Sequence, residues 1–209
     1  INAKVYCSML ANISYLYSTA IAQSTQINIG YLVGAKEYSM VSGRVGTTTL
    51  ICIGVSVAVA AILWLTSDYV VGMLSTDPVV LELSKTILLI DVALEIGRAV
   101  NLVMTRCLAT VGDINLPVTI TIMMEWAVEV GFGYLFGVHL GYGLVGIWIA
   151  MAVDEILRGI FFAVRFFRKK WMHKERKKDI VLPPKADILE AVKSPRTLFE
   201  GLSRAFRID

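Results

Sequence analysis

Long apolar runs broken by short polar stretches fill residues 1 to 165 of this chain. A helix that crosses a bilayer needs about 20 consecutive, mostly apolar residues. On that spacing the pattern predicts five spanning helices, over residues 7–33, 46–66, 84–108, 117–138 and 143–165, together a bundle over 1–168. The first is unusually polar, carrying Asn12, Ser14, Ser18, Gln23, Thr25, Gln26 and Asn28 among other polar residues. Such a helix is a poor neighbour for lipid, so it should pack inside the bundle or line a polar cavity. The fourth begins near Pro117, a residue suited to a first helical turn. Residues 169–209 read as a basic tail. Its segment "SPRTLFEGLSRAFRI" fits either a short helix on the membrane surface or loosely ordered chain.

Composition agrees with that pattern: 56% of residues are hydrophobic, 18% are charged, and the mean hydropathy is +0.66. The expected fold class is therefore an all-α integral membrane protein. Net charge is only +3, but its distribution carries more information. The segment "RFFRKKWMHKERKK" holds eight Lys and Arg against one Glu, which predicts a cytoplasmic C-terminus in a multi-pass cell-membrane protein. Counting back, the basic loops "RCLATVGDINLP" and "GAKEYSMVSGR" fall inside, while the acidic "TSDYVVGMLSTDPVVLE" falls outside. The N-terminus then lies outside, a start that a preceding helix would correct. The chain begins on Ile1 with no signal-like segment, as expected for a piece of a longer protein.

The third predicted span raises the functional question. "ILLIDVALEIGRAVNLVM" carries Asp91, Glu95 and Arg98 at i, i+4 and i+7, one helical face, with Asn101 a turn further on. "MMEWAVEVG" places Glu125 and Glu129 at i, i+4 on the fourth span. "VDEILRG" places Asp154, Glu155 and Arg158 near the middle of the fifth. A charge at the centre of a span costs roughly 2.5–3.5 kcal/mol on insertion scales, so these groups point into the protein. Six carboxylates against two arginines leave four negative charges uncompensated if all are ionised. A low-dielectric interior does not hold that excess, so some carboxylates are protonated, bind a cation or meet water. Glu95 with Arg98, and Asp154 or Glu155 with Arg158, also stand at ion-pair spacing and could act as struts. Glu125 and Glu129 have no partner nearby in sequence.

The remaining motifs speak for packing. Cys7, Cys52 and Cys107 lie in apolar runs with no metal-type spacing. "GYGLVG" lacks the strand and helix that would cradle a phosphate, and "NIS" at Asn12 is placed inside a span. His139 and His173 read as solvated residues. No Ser/His/Asp, Cys/His or two-His arrangement occurs, so no enzyme, no metal, no cofactor and no nucleic-acid partner is expected.

Three of these segments resemble a known family. "EIGRAVNLV" followed by "LATVGDINLPV" is similar to the tenth helix and following loop of the multidrug and toxic compound extrusion (MATE) transporters. "GLVGIWIAMAVDEILRGI" with "RFFRKKW" resembles their last helix and cytoplasmic exit, and "AQSTQINIGYLVGAKEY" their eighth helix. The resemblance implies a twelve-helix transporter of two six-helix lobes, with this chain supplying helices eight to twelve. It implies a secondary antiporter that exports organic, often cationic, small molecules in exchange for H⁺ or Na⁺. The partners would be membrane lipid, the transported small molecule and the first lobe. Glu95, Arg98 and Asn101 match the tenth-helix motif, and Asp154, Glu155 and Arg158 the twelfth. A cation-linked Asp of some relatives falls on Arg98 here, so that role does not transfer. Glu95, Glu125, Glu129 and Asp91 are the candidates for a cation- or proton-linked cavity, with Arg98, Asn101, Asp154, Glu155 and Arg158 holding its geometry. The alternatives are a flippase for lipid-linked sugars, in which a basic cavity is expected, and a membrane scaffold in which every buried charge is a strut.

Overall fold

The computed structural model describes residues 2–75 and 77–168, and all regular structure in them is helical. The helices are α1 (Asn2–Gly34), α2 (Tyr38–Leu65), the short α3 (Ser67–Gly72) and α4 (Pro78–Thr110). A continuous helical rod over Asn115–His139 follows, made of α5 (Asn115–Met124), a π-wound stretch Glu125–Val130, α6 (Gly131–Tyr134) and a second π-wound stretch Leu135–His139. The final helix is α7 (Gly143–Phe167). Two of these, Tyr38–Leu65 and Asn115–His139, are long and apolar enough to cross a membrane by length and composition alone. The basic tail and its proposed surface helix lie outside the described residues.

Local chemistry sets the helix ends. The Asp77 carboxylate accepts from the Val79 N–H at 3.0 Å and Pro78 opens α4, so the helix starts on a capped, φ-fixed turn. Pro117 sits in the first turn of α5, where its missing N–H costs nothing. At their C-termini, α1 and α4 close with the same device. The Glu37 N–H donates to Leu32 O and Lys36 N–H to Val33 O; the Asp113 N–H donates to Leu108 O and Gly112 N–H to Ala109 O. This paired bonding needs a left-handed residue in the turn. Gly112 takes it at φ 74°, and Lys36 takes it at φ 59° without glycine's freedom.

Helix α4 is the centre of the bundle and packs on α7, α1 and α2, while the 115–139 rod leans mainly on α7. The α1 face turned inward is a stripe of small residues, including Cys7, Ala11, Ser14, Ser18, Ala22 and Thr25. Small side chains let helix axes approach closely, which is how helices associate where lipid removes the hydrophobic drive between them. The polar character of α1 is thus divided: Ser14, Ser18 and Thr25 face the bundle, whereas Gln23, Ser24 and Asn28 stay exposed. Two apolar clusters fill the interior. One gathers Cys7, Ile87, Leu88, Leu94 and Trp148; the other gathers Ile29, Val103, Leu108, Phe162 and Phe166. Between them along α4, at residues 95–98, sits the charged layer.

Candidate functional site

That layer exists because α4 and α7 cross at glycines. A Cβ built on Gly97 would lie 2.6 Å from Ile156 N and 2.9 Å from Glu155 C, both backbone atoms. One on Gly159 would lie 3.0 Å from Gly97 O. Side chains flanking this contact are therefore held within bonding reach across the two helices. Asn101 Nδ2 donates to Glu155 Oε2 at 2.6 Å, and Thr105 Oγ1 donates in turn to Asn101 Oδ1 at 3.2 Å. The spacing that put Asn101 beside the charged face of α4 thus ends in a bond to α7.

Two guanidiniums organise the carboxylates. Arg98 Nη1 donates to Glu95 Oε1 at 2.5 Å, its Nε lies 3.8 Å from Glu155 Oε1, and its charged end sits 5.9 Å from the centre of the Tyr15 ring. Arg158 Nη1 donates to Glu125 Oε1 at 3.2 Å, while its Nη2 lies 2.5 Å from Asp154 Oδ2 and 3.6 Å from Glu155 Oε1. The Asp154 contact is an ion pair by distance but not by angle, since both Asp154 oxygens and Arg158 Nε lack a hydrogen bond among the described residues. Glu155 is shared by both arginines and Asn101, so it joins the two halves of the network.

This network distributes the charge excess unevenly. Glu95, Glu125, Asp154 and Glu155 each have a guanidinium within 4.0 Å, and Arg98 and Arg158 serve all four. Glu125 thereby gains a partner that its sequence neighbourhood did not reveal; the signal lay on another helix, 33 residues away. Asp91 and Glu129 take part in no ion pair among the described residues. Both face the same open cavity of about 450 Å³ between α1, α4, the 115–139 rod and α7. Arg98 and Glu155 also reach its wall, with Lys4, Tyr15 and Trp148. Asn12, expected to be buried within the first helix, does lie on α1 but is exposed and lines this cavity.

Glu95 occupies a different place. Its side chain is fully buried, and Ser18 Oγ lies 3.5 Å from Glu95 Oε2. Ser18 and Ser56 share a hydrogen bond of 2.6 Å, so a seam of hydroxyls runs from Glu95 between α1 and α2. The sequence reading missed this seam, because Ser56 lies alone in an apolar run. Glu125 and Glu129 both fall in the π-wound stretch Glu125–Val130. Such wide turns are rare and recur at functional sites, since they re-aim side chains within a continuous helix.

A family model for MatE matches residues 2–135, well over half of the chain. The chain belongs to the MatE family. It is thus a membrane protein, in keeping with the two apolar helices. Among its relatives is the "Uncharacterized transporter YisQ" of Bacillus subtilis, 30% identical over 174 residues, a match covering 83% of this chain and 38% of the relative. A "Probable multidrug resistance protein NorM" of Bacillus cereus is 25% identical over 162 residues, covering 76% of this chain and 35% of the relative. The NorM of Xanthomonas axonopodis pv. citri is 22% identical over 157 residues, covering 75% and 34%. The MatE chain described here therefore spans little more than a third of the length of these curated relatives.

Proposed function

We propose that this MatE chain forms helices eight to twelve of a two-lobed exporter. In it five helices cross the cell membrane and the basic tail lies in the cytoplasm. The whole transporter exports organic, often cationic, compounds in exchange for H⁺ or Na⁺, and the cavity between α1, α4, α7 and the 115–139 rod is the coupled site. One observation carries this reading: Asp91 and Glu129, alone among the six intramembrane carboxylates in lacking an ion pair among the described residues, line one cavity. A carboxylate without a fixed counter-charge changes its charge state or takes a cation when the cavity opens to water, and a paired one resists both. Arg98 and Arg158, which do not give up their protons, hold the remaining carboxylates as a permanent frame. Alternating access requires that difference, since a ligand bound equally in both states shifts nothing.

The scaffold reading draws on the four paired carboxylates but leaves Asp91 and Glu129 without a role. The test uses the complete protein that carries this sequence, in inside-out vesicles, with a fluorescent organic cation. A pH gradient and a Na⁺ gradient are imposed separately. Transport driven by either one, and lost in Glu129→Gln and in Glu95→Gln at normal levels of folded protein, supports the antiporter. Full transport by a Glu129→Gln/Asp91→Asn double variant refutes the cavity assignment.

A further inference from the structure

Helix α7 carries an exposed apolar track that ends on two arginines. Leu157, Ile160, Phe161 and Val164 stand at i, i+3, i+4 and i+7, one helical face, and all four are exposed. Arg168 continues that face one turn further on, and Arg165 stands at its edge. Phe161, Val164, Arg165 and Arg168 together line an open groove of about 100 Å³. The two guanidiniums differ in what holds them. Arg165 gives Nε and Nη2 to the Asp113 carboxylate, which leaves its Nη1 group outside that pair. Arg168 is exposed and takes part in no ion pair among the described residues. Two arginines against one aspartate leave a net charge of +1 at the groove, and the sequence continues with Lys169 and Lys170.

The dimensions and charge of this face restrict its occupant. The helical rise from Leu157 to Arg168 is about 16 Å, close to the ~15 Å that one leaflet contributes to a bilayer's hydrocarbon core. The groove has room for a phosphate group but not for a whole lipid, so an acyl chain would lie along the apolar track below it. Arginine meets phosphate oxygens with a planar set of N–H donors and keeps its charge at the apolar edge of a membrane. A free phosphate would use the guanidiniums and leave the track bare. A zwitterionic headgroup would bring an ammonium to a surface that already carries excess positive charge. We propose that this face of α7 is a binding site for an anionic phospholipid. Its headgroup phosphate sits on Arg168 and Arg165 Nη1, and an acyl chain runs along Phe161, Ile160 and Leu157. This inference rests on the part of the reading above in which α7 crosses the membrane, and not on what the transporter exchanges.

The complete protein that carries this sequence, purified in detergent, is titrated with phosphatidylglycerol or with phosphatidylcholine, and bound lipid is counted by native mass spectrometry. Phosphatidylglycerol should bind about fivefold tighter, the scale of one basic residue meeting an anionic headgroup. Arg168→Gln should remove that preference for one bound lipid, while Arg44→Gln, at an exposed arginine of α2, leaves it unchanged. Val164→Trp, which fills the groove and keeps both arginines, should weaken binding of the same lipid. Equal loss in Arg168→Gln and Arg44→Gln overturns the site, because diffuse surface charge then suffices. Displacement of the lipid by millimolar inorganic phosphate overturns it too, since the ligand is then the free anion. So does equal binding of the two lipids to the unmodified protein, the result expected if another part of the complete transporter covers this face. Lipid binding is read without any ion gradient, so the antiporter reading still stands or falls on gradient-driven efflux.

Discussion

Adding a single methyl group at Gly97 tests whether the α4–α7 crossing holds the charged layer together. The new Cβ of Gly97→Ala would meet Ile156 N at 2.6 Å and Glu155 C at 2.9 Å. Both are backbone atoms, so no rotamer change relieves the clash. Ordinary contact begins at 3.4 Å, and the helices must therefore part by about 0.8 Å at this point. Passed on in full, that shift stretches the 2.6 Å Asn101–Glu155 bond to about 3.4 Å, beyond useful length. The 3.8 Å approach of Arg98 to Glu155 leaves ion-pair range in the same movement. Overpacking of this kind costs about 1–3 kcal/mol, before the loss of the bridging bond is counted. Gly159→Ala meets Gly97 O at 3.0 Å and should cost less. Gly54→Ala meets nothing within 4 Å and should be neutral or slightly stabilising through helix propensity. Thermal unfolding of the three purified full-length variants ranks them. If Gly97→Ala melts with Gly54→Ala, the close crossing is not what positions Glu155, and the geometry argued for the site fails.

Two other changes probe the ends of the bundle. Lys36 holds the left-handed turn position at φ 59°, where its Cβ costs about 1–2 kcal/mol. Lys36→Gly should therefore raise stability by about 1 kcal/mol in denaturant unfolding, while Gly112→Ala at the equivalent turn lowers it. Arg165 Nε and Nη2 grip the two oxygens of Asp113 at 2.6 and 3.0 Å, tying the turn after α4 to the end of α7. Arg165→Ala should cost about 1–3 kcal/mol in the same assay. Arg165→Lys should recover less than half of that, because a lysine ammonium lacks the planar two-pronged donor; full recovery by Lys would show that charge alone is at work.

Much of the helical layout was legible because spanning length and polar breaks are one-dimensional signals. The run predicted over 46–66 lies within Tyr38–Leu65 but for its final residue, and that over 117–138 lies within Asn115–His139. The stretch read as an outer loop hides the short helix Ser67–Gly72, whose single turn and a half is too brief to leave a period. Within the site, i, i+3 and i, i+4 spacing made the Glu95–Arg98 and Asp154–Arg158 proximities readable, because both partners lie on one helix. Contacts between helices carry no such trace. Neither Glu125 with Arg158, nor Asn101 with Glu155, nor Ser18 with Ser56 could be paired from spacing, since each depends on which helices touch and at what level. The π-wound turns were equally invisible, as they share the apolar composition of their α-helical neighbours.

The unequal sharing of two arginines among six carboxylates is what separates frame from working group. An arginine stays charged throughout any transport cycle, so a carboxylate clasped by one keeps a permanent counter-charge beside it. Glu95, at 0% exposure against Arg98, is held this way and has Ser18 on its other side. Neutralising it would leave Arg98 only its 3.8 Å contact to Glu155 and disturb the cavity wall, so its loss acts through geometry. Glu129 has no such clasp among the described residues, and its neutralisation removes only the charge it presents to the cavity. The two substitutions therefore differ in kind, although the proposed antiporter predicts that both abolish exchange. Glu95→Gln should also lower thermal stability, because the partly buried Arg98 guanidinium loses its closest counter-charge. Glu129→Gln should leave stability unchanged or raised, because a half-buried carboxylate with no ion pair is relieved of its desolvation cost.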